Sequence, residues 1–257
     1  MPKKDPSRLR DPNRQTSAER DYRAGMMDYF TSGPGSVCER LEHFPKYASR
    51  QALSRYLALY EIFKLAVPVQ GSIVQCGVNH GGSLMLWAQL SSILEPVNIQ
   101  RKVLGFDTFE GFPSIDAKDA KPGARNAQLR RGGYAGGSLE DLARAVELFD
   151  RNRFLAHIAK ISLVKGDAAL TIPKFVKRNP ELVVSLLHLD FDLYAPTAAA
   201  LKAFLPRVPK GGVIVFDELN NASWPGETAA VHEVVGLARL RIQRFAFEPH
   251  ISYCVME

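Results

Sequence analysis

Five short apolar runs constrain this chain more than any other feature. They lie at residues 72–76, 102–107, 161–165, 183–189 and 213–216, and at or just past their ends stand Gln75, Asp107, Asp167, Asp190 with Asp192, and Asp217 with Glu218. Runs of this length with β-branched residues read as buried strands, and helical patterns fall between several of them. After the first run the apolar positions Leu84, Leu86, Trp87, Leu90, Ile93 and Leu94 recur at helical spacing. Residues 138–149 read as a helix with Ser138 as its N-cap and Asp141 at the third helical position. Further helices are expected over 49–65, from about Pro196 and Thr197 onward, and over 228–240, with two last strands near 242–247 and 251–256. Strands alternating with helices make an open α/β sheet, in which ligands bind outside the carboxyl ends of the strands.

The first strand runs into Gly77, Val78, Asn79, His80, Gly81, Gly82 and Ser83 before its helix begins. Glycines let a backbone approach a ligand closely, and a helix start offers unpaired N–H groups. The same turn also serves tight packing, so its meaning depends on the strand ends beside it. Asp107 ends the second strand, where a carboxylate in a dinucleotide-type fold accepts hydrogen bonds from ribose hydroxyls.

An isolated acid at a strand end is ordinarily a helix N-cap. Five polar ends along one edge point instead to a site. Asp190, Asp217 and Glu218 would converge if their strands are neighbours. Oxygen ligands without His or Cys suit a hard divalent ion such as Mg2+. Without a cation, mutual repulsion would raise the pKa of part of the cluster. Asp192 is either a general base on a hydroxyl or the N-cap of the next helix. His232 and His250 are secondary candidates for a base, and Arg50 and Tyr56 for contact with a ligand.

Composition bounds the rest. A length of 257 residues with 46% hydrophobic content suits one large α/β domain or two small ones. No apolar run approaches the roughly 20 residues needed to cross a bilayer, and the first residues are too polar for a secretory signal. Cys38, Cys76 and Cys254 are widely spaced, which reads as reduced, buried thiols in a cytoplasmic protein. The net charge is 33 − 27 = +6, and half of that excess lies in residues 1–23. Residues 1–35 therefore read as a basic flexible arm, broken at Gly33, Pro34 and Gly35. Residues 36–257 form the main domain, with a loop over 113–138 long enough to be a lid. Tyr134, Arg130, Arg131 and Trp224 are candidates to line an acceptor pocket.

Four segments together resemble the macrocin O-methyltransferase family: Gly77 through Ser83; Phe106, Asp107, Thr108, Phe109, Glu110, Gly111, Phe112 and Pro113; Leu189 through Tyr194 with Thr197; and Gly211 through Glu218. The resemblance covers roughly residues 45–256. It implies a Rossmann-like class I methyltransferase fold, a seven-stranded, mostly parallel sheet with an antiparallel last strand and helices on both faces. It implies S-adenosyl-L-methionine and Mg2+ as cofactors and methylation of a hydroxyl on a sugar or other small-molecule acceptor. The cofactor would be held by Gln75, Gly77, Gly81, Gly82, Ser83, Asp107, Thr108, Phe109, Asp167 and Asp190, with Asp107 at the ribose and Asp167 beside the adenine. Asp190, Asp217 and Glu218 match the family's metal ligands, and Asp192 its proposed base. Two departures stand out: Gln75 replaces the usual Glu, and Glu218 the usual Asp. A homo-oligomer without membrane or nucleic-acid partners is the matching expectation. The competing readings are another enzyme on this scaffold, or a binding protein whose arm contacts RNA or an acidic partner. An NAD-dependent enzyme is disfavoured because no clean Gly-x-Gly-x-x-Gly follows the first strand.

Overall fold

The structure, a computed structural model, describes residues 16–121 and 126–257. The chain divides into two compact units, residues 1–53 and 54–257.

In the first unit, helices α1 (Ser17–Ser32) and α2 (Val37–Glu42) each start at a reciprocal capping box, Thr16 with Glu19 and Ser36 with Glu39. The Arg40 guanidinium donates to the carbonyls of Phe30, Gly33 and Gly35, and the Tyr47 ring stacks on Tyr29. The stretch expected as an arm is thus helical over Ser17–Ser32. Its residues 1–15 lie outside the described residues. None of the residues of α1 is buried.

Helix α3 (Arg50–Ala66) leads into the second unit. There follow β1 (Ser72–Cys76), α4 (Gly82–Leu94), β2 (Val103–Asp107), α5 (Leu139–Arg151), β3 (Ile161–Lys165), α6 (Ala168–Arg178), β4 (Val184–Leu189), α7 (Tyr194–Phe204), β5 (Val213–Phe216), α8 (Pro225–Val234), β6 (Gln243–Arg244) and β7 (Ser252–Val255). The strands form one seven-stranded sheet in the order β3-β2-β1-β4-β5-β7-β6. The first five are parallel, and β7 runs antiparallel between β5 and β6. The expected class I architecture is what the chain adopts. Helix α8 starts three residues before the expected 228, with Pro225 in its first turn, and it stops well short of 240. The chain then turns at Gly236 (φ +89°) into a short 3-10 turn, Leu237–Arg239.

The central strands are covered on both faces, which is why they read as nearly continuous apolar runs. Ile73, Val103, Leu186 and Val213 face a core holding Leu59, Ile62, Phe63, Leu84 and Trp87. Val74, Leu104, Leu187 and Ile214 face a second core with Ile172, Leu201, Phe204 and Val231. At the end of the sheet where β1 begins, the buried Arg101 donates to the carbonyls of Val67, Val69 and Gly71 and to the Ser185 hydroxyl, and it pairs with Glu95. At the other end, Cys76 is in register with Phe106 and Leu189, and Leu189 with Phe216. The next residue on each strand is therefore Gly77, Asp107, Asp190 and Asp217, side by side along one rim. Cys76 and Cys254 are buried as expected, whereas Cys38 is exposed on α2, a helix with no buried residue. Among the described residues no helix is long and apolar enough to cross a membrane.

Candidate active site

The turn after β1 is built against β4. Gly77 has φ +89°, and a Cβ there would stand 1.9 Å from the Asp190 carbonyl oxygen, so only glycine fits. Gly81, also left-handed at φ 84°, caps α4 without any side-chain hydrogen bond. The first turn of that helix, at Gly82 and Ser83, thus opens toward the rim with its positive end. Asp107 stitches the turn to β2: its Oδ2 accepts from the backbone N–H of Val78 (2.7 Å) and Asn79 (2.8 Å), and its Oδ1 from Phe109 (2.7 Å). A carboxylate has about four lone-pair sites, so most of Asp107's accepting capacity is committed to backbone. Thr108 donates to the Gly111 carbonyl (2.6 Å) and accepts from the N–H of Glu110, and Phe109 takes a left-handed φ of 56°. Asp167 is the N-cap of α6, accepting from Ala169 N–H at 2.9 Å.

Asp190 and Asp217 do meet. One carboxylate oxygen of each, together with a ring nitrogen of His188, lies within 4.8 Å of the others. The Arg55 guanidinium spans both acids, 2.5 Å from Asp217 Oδ1 and 3.2 Å from Asp190 Oδ2, and also donates to the Ser83 hydroxyl at 3.3 Å. Burial opposes the charge on Asp217, yet the Arg55 guanidinium beside it carries its carboxyl below the usual carboxylate range. Burial and then the neighbouring Asp217 push Asp190 well up, against the pull of Arg55. The two acids are thereby driven apart, as like charges sharing a site must be.

Beneath them lies a fully buried chain of polar groups. Trp87 Nε1–H donates to Gln75 Oε1 (2.9 Å), His188 Nδ1 lies 2.7 Å from the same oxygen, and Gln75 Nε2 donates to the Gly77 carbonyl (2.8 Å). Burial lowers the pKa of His188, which is 0% exposed. Both ends of the Gln75 amide are thus occupied inside the protein.

Glu218 follows Asp217, but its carboxylate accepts from the Asn221 side-chain amide, and it stands outside the group that His188 joins. Its backbone N–H donates to the buried Glu227 (3.0 Å). Burial pushes the Glu227 carboxyl well up, and its Oε2 has no hydrogen-bond partner. Asp192 is not the N-cap of α7; Leu193 is. The α7 start is served from elsewhere, by Asp119 Oδ1, which accepts the Tyr194 N–H at 2.5 Å. Asp192 itself is left-handed, φ 62°, and its charge acts on both Asp190 and Glu227. Aspartate is among the residues that adopt this conformation most readily.

Of the other candidates, Tyr134 and Trp224 come together with Phe112, ring centroids 5.4–5.7 Å apart. Arg130 and Arg131 are exposed, as are His232 and His250. Sequence reasoning missed Arg55, His188 and Glu227. Arg55 did carry a signal: it falls on the stripe of Leu59, Ile62 and Ala66, a charge on the face of α3 that the core requires. His188 is two residues before Asp190, on the same strand face.

The family model for macrocin O-methyltransferases (TylF) matches residues 56–236. This chain belongs to the macrocin O-methyltransferase family. Within reach of that family, an 8-demethyl-8-(2,3-dimethoxy-alpha-L-rhamnosyl)-tetracenomycin-C 4'-O-methyltransferase of Streptomyces olivaceus is 28% identical over 155 residues, 60% of this chain and 55% of that protein. Demethyldecarbamoylnovobiocin O-methyltransferase of Streptomyces niveus is 28% identical over 58% of this chain and 53% of its own length. The chain thus spans about half the length of the curated relatives it matches. The fold match extends further: the crystal structure of CalS11, a calicheamicin methyltransferase, superposes with a TM-score of 0.88 at 29% identity, over 94% of this chain and 93% of that one.

Proposed function

We propose that this chain transfers a methyl group from S-adenosyl-L-methionine to a hydroxyl of a sugar or other small-molecule acceptor, with Mg2+ and a carboxylate base assisting. The observation that carries this reading is the shared wall between the two sites: Gly77, at the cofactor turn, rests on the carbonyl of Asp190, whose side chain meets Asp217. The sugar acceptor is supported by the rhamnosyl 4'-O-methyltransferase relative and by the apo structure of CalS11, which is a TDP-rhamnose 3'-O-methyltransferase, 29% identical to this chain.

The residues suit both groups. A left-handed turn leading into a helix start without a side-chain cap leaves backbone N–H groups for a cofactor, and converging carboxylates suit a divalent cation. S-adenosyl-L-methionine supplies an electrophilic sulfonium methyl, and Mg2+ supplies a positive charge that lowers the pKa of an acceptor hydroxyl. Gly77, Gly81, Gly82 and Ser83 would form the cradle, with Gln75, expected there too, buried behind it and bonded to the Gly77 carbonyl, Asp107, Thr108 and Phe109 on the ribose side and Asp167 beside the adenine. Asp190 and Asp217 would hold the cation. Glu218 would join them by giving up its bond to Asn221. Asp192 takes the proton from the acceptor hydroxyl. Arg55 holds the two acids in place and favours the ionised form of Asp217. The loop over 113–138, of which residues 122–125 lie outside the described residues, would serve the acceptor side, with Tyr134 and Trp224 presenting rings to a sugar face.

Calorimetric titration with S-adenosylhomocysteine, with and without Mg2+, tests the reading. Micromolar binding is expected. No binding at millimolar ligand overturns it.

A further inference from the structure

His188 is placed in the site by what surrounds it. The indole Nε1–H of Trp87 is a donor only, so the Gln75 atom it meets at 2.9 Å is the amide oxygen. That oxygen is an acceptor only, and His188 Nδ1 lies 2.7 Å from it. His188 Nδ1 therefore carries the proton, and Nε2 of the neutral ring presents a bare lone pair. This Nε2 is buried with no hydrogen-bond partner, and it faces Asp217 Oδ1 at 3.8 Å. Two acceptors face one another with no proton between them. Arg55 already compensates Asp217 Oδ1 at 2.5 Å, but the ring nitrogen has no partner of its own, and a buried lone pair of this kind is unfavourable unless a donor or a cation meets it.

We propose that His188 Nε2 is a third ligand of the divalent cation that Asp190 and Asp217 hold, with Gln75 as the positioning residue that sets its tautomer; this rests on the metal-assisted reading above. A ring nitrogen donating its other N–H to a fixed acceptor is the arrangement by which proteins orient histidine ligands. Beyond it, Trp87 packs edge-on against the His188 ring at 5.7 Å and fixes its plane. The consequence is metal choice. Two carboxylates alone favour Mg2+ or Ca2+, whereas a nitrogen donor shifts preference toward Mn2+, Co2+ or Zn2+. Asp190, Asp217 and Glu218 alone would give a smaller preference of this kind, so the nitrogen coupling decides the assignment.

The test uses the metal-free full chain and Mn2+ or Co2+ alone. Pulsed electron paramagnetic resonance of bound Mn2+ in unmodified protein is expected to show coupling to one directly bound nitrogen, and histidine labelled with 15N is expected to change that pattern. H188Q is expected to abolish the coupling and lower the Co2+-over-Mg2+ preference. Q75L is expected to keep the coupling but weaken Mn2+ binding about 10- to 100-fold, the usual effect of removing an outer partner. The labelled unmodified protein keeps the test decisive if H188Q does not fold. Mn2+ bound without nitrogen coupling, or with coupling that survives H188Q in folded protein, overturns the assignment and leaves the carboxylate reading standing. No Mn2+ binding at millimolar concentration overturns both.

Discussion

Gly77 and Asp190 touch backbone to backbone: a single added methyl on the glycine would meet the carbonyl oxygen of the aspartate at 1.9 Å. Gly77→Ala is therefore expected to be severe. The left-handed φ alone costs a non-glycine residue about 1–3 kcal/mol, and the overlap with β4 adds to it. Denaturant titration should show a lower midpoint, and any folded variant should bind S-adenosylhomocysteine weakly.

Asp192→Asn separates the proposed base from a structural role. Asparagine tolerates a left-handed backbone at least as well as aspartate, so the melting temperature should hold. Loss of a general base typically lowers turnover by about 10²–10⁴-fold. Kcat is expected to fall in that range while S-adenosylhomocysteine affinity stays unchanged; an unaltered kcat would remove Asp192 from the chemistry.

Arg55 stands between two acids, so its removal leaves them uncompensated. Breaking one side of a buried pair costs about 3–5 kcal/mol, and the guanidinium here is 27% exposed, which sets the lower end. Arg55→Met should melt well below the parent in chelator. Divalent cation should then restore more stability to the variant than to the parent, read by calorimetry with and without chelator.

Glu227 predicts a pH effect of definite sign. Its folded pKa is raised from an ordinary 4.5, first by burial. Its contribution to stability is fully present below 4.5 and is lost as pH rises through the folded value. Glu227→Gln should flatten that loss, because an amide oxygen still accepts the Glu218 N–H. Melting temperatures across a pH series measure it.

Lys160 runs the other way. Burial lowers it from 10.5 to about 8, although its Nζ donates to the Asn98 carbonyl at 3.0 Å. Between about 8 and 10.5 the unfolded chain holds more protons than the folded one, so stability rises with pH across that window. Lys160→Met should remove the rise.

Much of this protein was determined locally. The strands ending at Asp107, Asp190 and Asp217 were legible because a strand buried on both faces must be apolar along its length. The cap of α5 was legible because Ser138 acts on backbone a few residues away, whereas α6 and its cap Asp167 were not among the expected elements. The convergence of Asp190 and Asp217 followed from strand order, which the α/β alternation restricts to few choices. Side-chain partnership across the fold was decided by tertiary structure alone. Arg55 reaches Asp217 across 162 residues of chain, and the unpartnered nitrogen of His188 is left over because Gln75, 113 residues away, accepts from its other ring nitrogen. Such contacts depend on rotamers and packing at long separation, and no local periodicity encodes them. The outcome for Glu218, turned to Asn221, is of the same kind: sequence places a carboxylate at the rim, and its three-dimensional neighbours choose its direction.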